Sequence, residues 1–336
     1  MTARPAPAGP FGTVFVPTMT LATWEGGAWS TPELVPVGPL PMHPATHVLH
    51  YGSACFEGLK AHRGDDGVVR LFRAPAHVAR MQESARLLHL PEPGTERLQA
   101  MIERAVADNV AHVPDAPGSL YVRPTLIGTE HNIGAAGVPS KQAMLYVLCS
   151  PVGDYFSGGV RPLKIAIETD SPRTTPGFGK VKCGANYVMA LGITLHAKHT
   201  LGVDQVLFAP GGDVQETGAS NFLLIDEGRV LTKGLDDSFL HGVTRDSVLT
   251  LARDLGYKVE ERDLSVDEVL AWCKHGEAAL SGTAAVLSPV GTLVYQGQSI
   301  PVGDGGIGPH TMRLRKALSD LQLGRAPDPY GWTQAV

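Results

Sequence analysis

Cysteine is sparse in this chain: four residues in 336, at Cys55, Cys149, Cys183 and Cys273, far apart and with no CxxC pair. That spacing argues against a disulfide framework or a cysteine-ligated zinc, and the expectation is of reduced, mostly buried thiols. An apolar run long enough to span a bilayer is also missing, which excludes a membrane-spanning helix. The first ten residues are rich in proline and alanine with a single arginine, and they lack the apolar core of a signal peptide. The cytoplasm is therefore the expected compartment. There is no excess of positive charge either: 28 Lys and Arg against 33 Asp and Glu give a formal net charge of -5. Nucleic acid and anionic membrane are thus not expected as partners. No internal repeat is visible. What remains is ordinary for a globular enzyme-sized chain, with 43% hydrophobic and 18% charged residues. The length suggests two domains.

Residues 11–15 and 69–72 read as strands, and 77–88 and 96–110 carry apolar residues at helical spacing. Residues 120–127 and 143–148 are β-rich runs. Ser150-Pro151-Val152-Gly153-Asp154-Tyr155-Phe156-Ser157-Gly158-Gly159 reads as a connector. The division expected is a smaller N-terminal α/β domain over 1–152, a connector over 153–160, and a larger domain over 161–336. In the latter, strands are expected at 163–167, 205–209 and 222–225 and helices at 187–198 and 244–255. Ser265-Val266-Asp267-Glu268 reads as a capping box. The mixture points to α/β or α+β domains with a ligand cleft between them.

Lys182 stands just before Gly184, where a small-residue turn opens an apolar helix and can hold an amine rigid and partly dry. Lys180 is its rival, in what reads as a solvated loop. Glu216 lies between two apolar runs, where an unpaired carboxylate is costly. A fixed lysine and a buried acid are what pyridoxal phosphate needs: an amine to condense with its aldehyde and an anion to keep its ring nitrogen protonated. Taken alone, Glu216 reads rather as a hairpin carboxylate in water. A phosphate needs donors, and Gly242-Val243-Thr244-Arg245-Asp246 opens a helix whose free amides face an anion. Ser281-Gly282-Thr283-Ala284-Ala285 adds hydroxyls and amides in a tight turn, and Arg73 can add a charged clamp. His196 and His199, on one helix, read as surface histidines rather than metal ligands.

From Phe11 to Trp332 the chain resembles the branched-chain aminotransferases of fold type IV. The resemblance is carried by Tyr51-Gly52-Ser53-Ala54-Cys55-Phe56-Glu57-Gly58-Leu59-Lys60, Tyr121-Val122-Arg123-Pro124, 182–187, 216–222, Gly242-Val243-Thr244-Arg245 and 281–285, in the family's order. It implies a two-domain α/β fold of α+β character, with pyridoxal 5'-phosphate in the interdomain cleft. It implies transamination of L-leucine, L-isoleucine and L-valine with 2-oxoglutarate. Lys182 would carry the cofactor covalently and act as catalytic base, Tyr187 would bond its phenolic oxygen, and Glu216 would pair with the ring nitrogen. Arg73, the amides of Val243 and Thr244, and Thr283 would hold the phosphate. The amides of Thr283 and Ala284, with Tyr121, resemble the α-carboxylate site. Tyr51, Phe56 and Tyr155 resemble the side-chain pocket, and Arg123 the site of the second carboxylate of glutamate. The loop of Ile133 and Ala135 resembles one that reaches a neighbouring subunit, which implies a homodimer. D-amino-acid aminotransferases and aminodeoxychorismate lyases of the same fold are the nearest alternatives, and a pyridoxal-phosphate carrier without turnover is a third. His241 departs from the proline usual before Gly-Val-Thr, which implies a less rigid phosphate turn. Ala285 and Ser288 stand where animal enzymes carry cysteines, so a thiol switch is not expected. Lys60 is closer to the animal type.

Overall fold

The computed structural model describes residue 4 and residues 9–156 and 158–336. Most of the Pro/Ala-rich start and Ser157 of the expected connector lie outside the described residues. The chain forms two units. The first takes the described residues of Met1–Tyr155 together with Val181–Gly184 and Leu321–Val336, and the second takes Phe156–Lys180 and Ala185–Asp320. Neither is one continuous stretch, whereas the sequence pattern divides the chain once, at 153–160.

In the first unit the strands are β1 (Thr18–Glu25), β2 (Ala28–Trp29), β3 (Glu33–Pro36), β4 (Ala54–Phe56), β5 (Leu59–Arg63), β6 (Val69–Phe72), β7 (Ser119–Gly128) and β8 (Ala143–Val152). Its helices are α1 (His47–Tyr51), α2 (Ala74–Leu87) and α3 (Thr95–Asp108). Among the described residues they build a nine-stranded sheet, in the order terminal strand Thr333–Ala335, β6, β5, β7, β8, β1, β2, with β3 on β1 and β4 on β7. Every pairing in it is antiparallel. Along β7 buried and half-buried residues alternate, as a sheet with one face on the core requires. That core is made of Leu59, Leu71, Met81, Leu98, Ile102, Leu120, Leu126 and their neighbours.

The strand expected at 11–15 is not there. Those residues form a turn and irregular chain, and β1 starts after Pro17. Phe11 is spent instead on an edge-on contact with Tyr121, ring centroids 5.0 Å apart.

His62 on β5 is buried, and its Nε2 has no partner among the described residues. Burial, and secondarily the charge of Lys60, pushes its pKa down to about 3. The unfolded chain therefore takes up a proton near pH 6.5 that the folded chain refuses, so stability is full above that value. It falls by about 1.4 kcal/mol per pH unit below it, until the folded group also titrates. His62→Leu is expected to flatten this acid limb of the stability curve, which urea unfolding between pH 7 and pH 4 measures.

The second unit has β9 (Leu163–Glu168), α4 (Gly184–Leu201), β10 (Gln205–Phe208), β11 (Asn221–Ile225), β12 (Arg229–Thr232) and α5 (Val243–Asp254). It continues with β13 (Lys258–Glu261), α6 (Val266–Trp272), β14 (Glu277–Gly282), β15 (Val286–Tyr295), β16 (Gln298–Pro301) and α7 (Pro309–Gln322). Among the described residues the sheet has eight strands, in the order β10, β9, β15, β14, β11, β12, β13, with β16 on β15. β9 and β10 are parallel, as are β12 and β13. Parallel neighbours need a crossover; α4 supplies it between β9 and β10 and α5 between β12 and β13, while β9 also runs parallel to β15, a pair far apart in sequence. Asn221-Phe222-Leu223-Leu224-Ile225 is buried throughout, the mark of a strand covered on both faces. The expected cap is present: Ser265 Oγ accepts from the Glu268 amide at 3.1 Å.

Candidate active site

In the first unit, Lys182 is fixed by its main chain. Its N–H donates to Ser84 Oγ at 3.1 Å, and its carbonyl accepts from the Phe56 N–H at 3.1 Å. The side chain is half-buried, with Nζ 5.2 Å from the centroid of the Phe56 ring. The Arg123 guanidinium also stacks on that ring, at 4.5 Å. Arg123 Nη2 donates to the Tyr121 hydroxyl at 2.9 Å, and its Nε is buried with no partner among the described residues. Tyr121 is seated against Gly58, where an added Cβ would come within 2.0 Å of the hydroxyl. Lysine, phenylalanine, tyrosine and arginine thus form one cluster. Its pattern follows from β-strand geometry, since Tyr121 and Arg123 alternate to the same face of β7.

Next in the chain after Phe56, Glu57 is fully buried and binds Arg80 through two oxygens, at 2.6 and 2.9 Å, and His77 at 2.7 Å. Burial alone would raise its carboxyl pKa. Arg80, then His77, outweigh that and hold it well below the usual carboxylate range. Sequence reasoning gave this triad no role.

Tyr51 closes α1, and its hydroxyl donates to the carbonyl of Ile133, so the side chain is tied to the loop that the resemblance singled out. Tyr155 ends the unit's first stretch and is 47% exposed. Arg73 sits at the N-cap of α2 with φ 53°, a left-handed conformation that costs a non-glycine residue roughly 1 kcal/mol or more. The Trp332 carbonyl accepts from its N–H at 2.7 Å, and its guanidinium lies 4.8 Å from the centroid of that indole. The C-terminal strand region therefore aims Arg73. Trp332 carried no such signal in sequence.

In the second unit, Glu216 is buried on the segment that leads into β11. Its Oε1 accepts from the Leu240 N–H at 2.9 Å and lies 2.6 Å from Arg173 Nη2, and its Oε2 accepts from Asn221 Nδ2 at 3.1 Å. Asn221 pairs in register with Ser281 and also donates to the Leu240 carbonyl at 2.8 Å. Its Oδ1 is so close to Gly242 that a Cβ there would approach to 2.0 Å. One asparagine thus joins the acid, the end of β14 and the start of α5. Val243 and Thr244 are the buried first residues of α5, whose N-cap, Gly242, makes no side-chain capping bond. The first amides of a helix have no intrahelical partners and carry the positive end of its dipole. The His241 ring nitrogen donates to the Asp236 carbonyl at 2.8 Å, a tether where the proline ring is missing. Thr283 and Ala284 lie half-buried in the turn joining β14 to β15, beside Ser281, whose buried hydroxyl has no partner among the described residues. Tyr187 is half-buried in the first turn of α4. Lys180, the rival amine, pairs with Asp237 at 2.8 Å.

Each unit by itself offers groups of the kinds that pyridoxal phosphate needs. The uncapped start of α5 and the unpartnered Ser281 hydroxyl suit an anion, the buried Glu216 suits a cationic ring edge, and the half-buried Lys182 suits an aldehyde. No cluster of metal-ligating side chains occurs among the described residues.

The family described as amino-transferase class IV matches residues 54–293. A probable branched-chain-amino-acid aminotransferase of Streptomyces coelicolor is 41% identical, over 97% of this chain and 92% of that one. Branched-chain-amino-acid aminotransferase 2 of Bacillus subtilis is 36% identical, over 97% and 92%. A solved branched-chain amino acid aminotransferase from T.th., with pyridoxamine 5'-phosphate, superposes with a TM-score of 0.75 at 29% identity, covering 93% of this chain and 97% of that one. The Escherichia coli enzyme gives 0.77 at 26%, covering 93% and 98%. Relatives this similar over nearly the full length, with the family's own match spanning both units, place the chain among the class IV aminotransferases.

Proposed function

We propose that this chain is a pyridoxal-phosphate enzyme that moves the amino group of L-leucine, L-isoleucine and L-valine to 2-oxoglutarate, releasing branched 2-keto acids and L-glutamate. When bound, the cofactor supplies an electron sink for the charge left at the substrate's Cα. The protein's residues do the rest. Lys182 would hold the cofactor through its Nζ and, with that amine free, would take the proton from the substrate's Cα. Glu216 holds the proton on the ring nitrogen. Arg73, the Val243 and Thr244 amides and Thr283 would hold its phosphate, and Tyr187 would bond its phenolic oxygen. The Thr283 and Ala284 amides, with Tyr121, take the α-carboxylate.

The observation that carries this reading is the stack of Lys182, Phe56 and Arg123. A pocket serving both half-reactions must accept an isobutyl group and a propionate. The Phe56 ring offers an apolar wall beside the reacting amine, and Arg123 offers a cation on the same ring; Tyr51 and Tyr155 would be further walls. Arg123→Met is expected to raise KM for 2-oxoglutarate by about tenfold or more and that for L-leucine by less than about threefold. Steady-state kinetics with each substrate varied checks this. The reading as a whole is tested by following product formation with L-leucine, D-alanine and aminodeoxychorismate as separate substrates. Turnover of L-leucine alone supports it. Turnover only of D-alanine or of aminodeoxychorismate overturns it in favour of the other enzymes of this fold.

A homodimer suits the exposed apolar residues. Val188 is 69%, Met189 50% and Leu191 50% exposed on α4, and Ile133 is 68% exposed in its loop. All four cysteines are buried and none forms a disulfide, which suits the reducing cytoplasm. No described helix is long and apolar enough to cross a membrane.

A further inference from the structure

Arg173 lies in the loop that runs from β9 to Lys182, and no pattern in the sequence marks it. Its side chain is 4% exposed and that of Glu216 3%, with Nη2 2.6 Å from Oε1. The same Nη2 donates to the Gly179 carbonyl at 3.1 Å. Gly179 is itself immobilised. Its N–H donates to the Asp237 carbonyl at 2.8 Å, and a Cβ would fall 2.1 Å from the Ser238 carbonyl. Asn186 on α4 donates to the neighbouring Phe178 carbonyl at 3.0 Å. The guanidinium is thus held from behind and presented to the carboxylate. Together with the Leu240 amide and Asn221, it gives Glu216 three donors.

We propose that Arg173 is a positioning residue for the reaction, fixing Glu216 and keeping it a weak base, so that the proton shared with the cofactor's ring nitrogen stays on the nitrogen. This rests on the cofactor reading above. A guanidinium beside a carboxylate stabilises the anion and lowers its affinity for a proton. Without it, the buried Glu216 draws the proton to itself and the ring becomes a poorer electron sink. A purely structural ion pair would matter for stability and leave the bound cofactor's electronics unchanged.

The pH titration of the visible absorbance of the lysine-bound cofactor distinguishes these roles, because a neutral ring nitrogen makes the nitrogen that links the cofactor to lysine more basic. In the loaded Arg173→Met enzyme the midpoint should rise by about one pH unit or more. Its kcat should fall by about a hundredfold, with KM for L-leucine held within about threefold. Arg173→Lys, which keeps a charge, should recover at least half of the shift. In a Glu216→Gln background, Arg173→Met should add no further shift, since it acts through that carboxylate. This double variant removes both buried charges, so it and Arg173→Lys carry the test if Arg173→Met does not fold. A wild-type midpoint in a coloured Arg173→Met enzyme overturns the proposal, as does an added shift in the Glu216→Gln background or an Arg173→Lys enzyme with no recovery. A wild-type protein that takes up no colour from pyridoxal phosphate fails the cofactor reading instead.

Discussion

Lys182→Ala should lose the absorbance of the covalently held cofactor and at least about a thousandfold in turnover, because one side chain serves both as attachment point and as proton carrier. The fold should survive. Lys182 is anchored through its amide on Ser84 and its carbonyl on Phe56, neither of which involves the side chain. A normal thermal midpoint with no colour is the expected outcome, measured by circular dichroism and absorbance on one sample. A coloured, active variant would remove Lys182 from the chemistry. Lys180→Ala is the natural control. It breaks an exposed ion pair with Asp237 and should change turnover by less than about twofold.

Glu216→Gln has the next largest expected effect and a different signature. The cofactor should remain attached, since Lys182 is untouched, while kcat falls by about 10² to 10³ as the stabilised charge on the ring nitrogen is lost. Stability should fall too. Arg173 would remain buried beside a neutral amide, and removing one partner of a buried pair costs about 3–5 kcal/mol. Urea denaturation of the apo protein reads that loss separately from kinetics.

The elements that sequence locates best are those with local signals. The start of α5 at Val243 and the cap at Ser265 follow from small residues and side-chain oxygens placed before a helical pattern. The turn at 283–285 follows from the run of small residues that ends β14. Helix α4 is recognisable, although it begins at Gly184 rather than at 187, because Gly184 and Ala185 have little apolar periodicity to mark them. Residues 11–15 mislead because Phe11, Thr13, Val14 and Phe15 are strand-favouring side chains, although the chain there forms a turn and irregular structure.

What escapes the sequence is mostly long-range. Arg173 meets Glu216, Trp332 meets Arg73, and Ser84 meets Lys182 across large separations in sequence. A buried arginine looks like a surface one until its partner is known. Glu57, inside a motif that sequence does mark, gains its role only when α2 brings His77 and Arg80 to it.

Reduction of the pyridoxal-phosphate-loaded protein with borohydride, followed by peptide mapping, tests the central claim most directly. The account predicts a stable pyridoxyl group on Lys182 and an unmodified Lys180. Label on Lys180, on another lysine, or on none at all would contradict it.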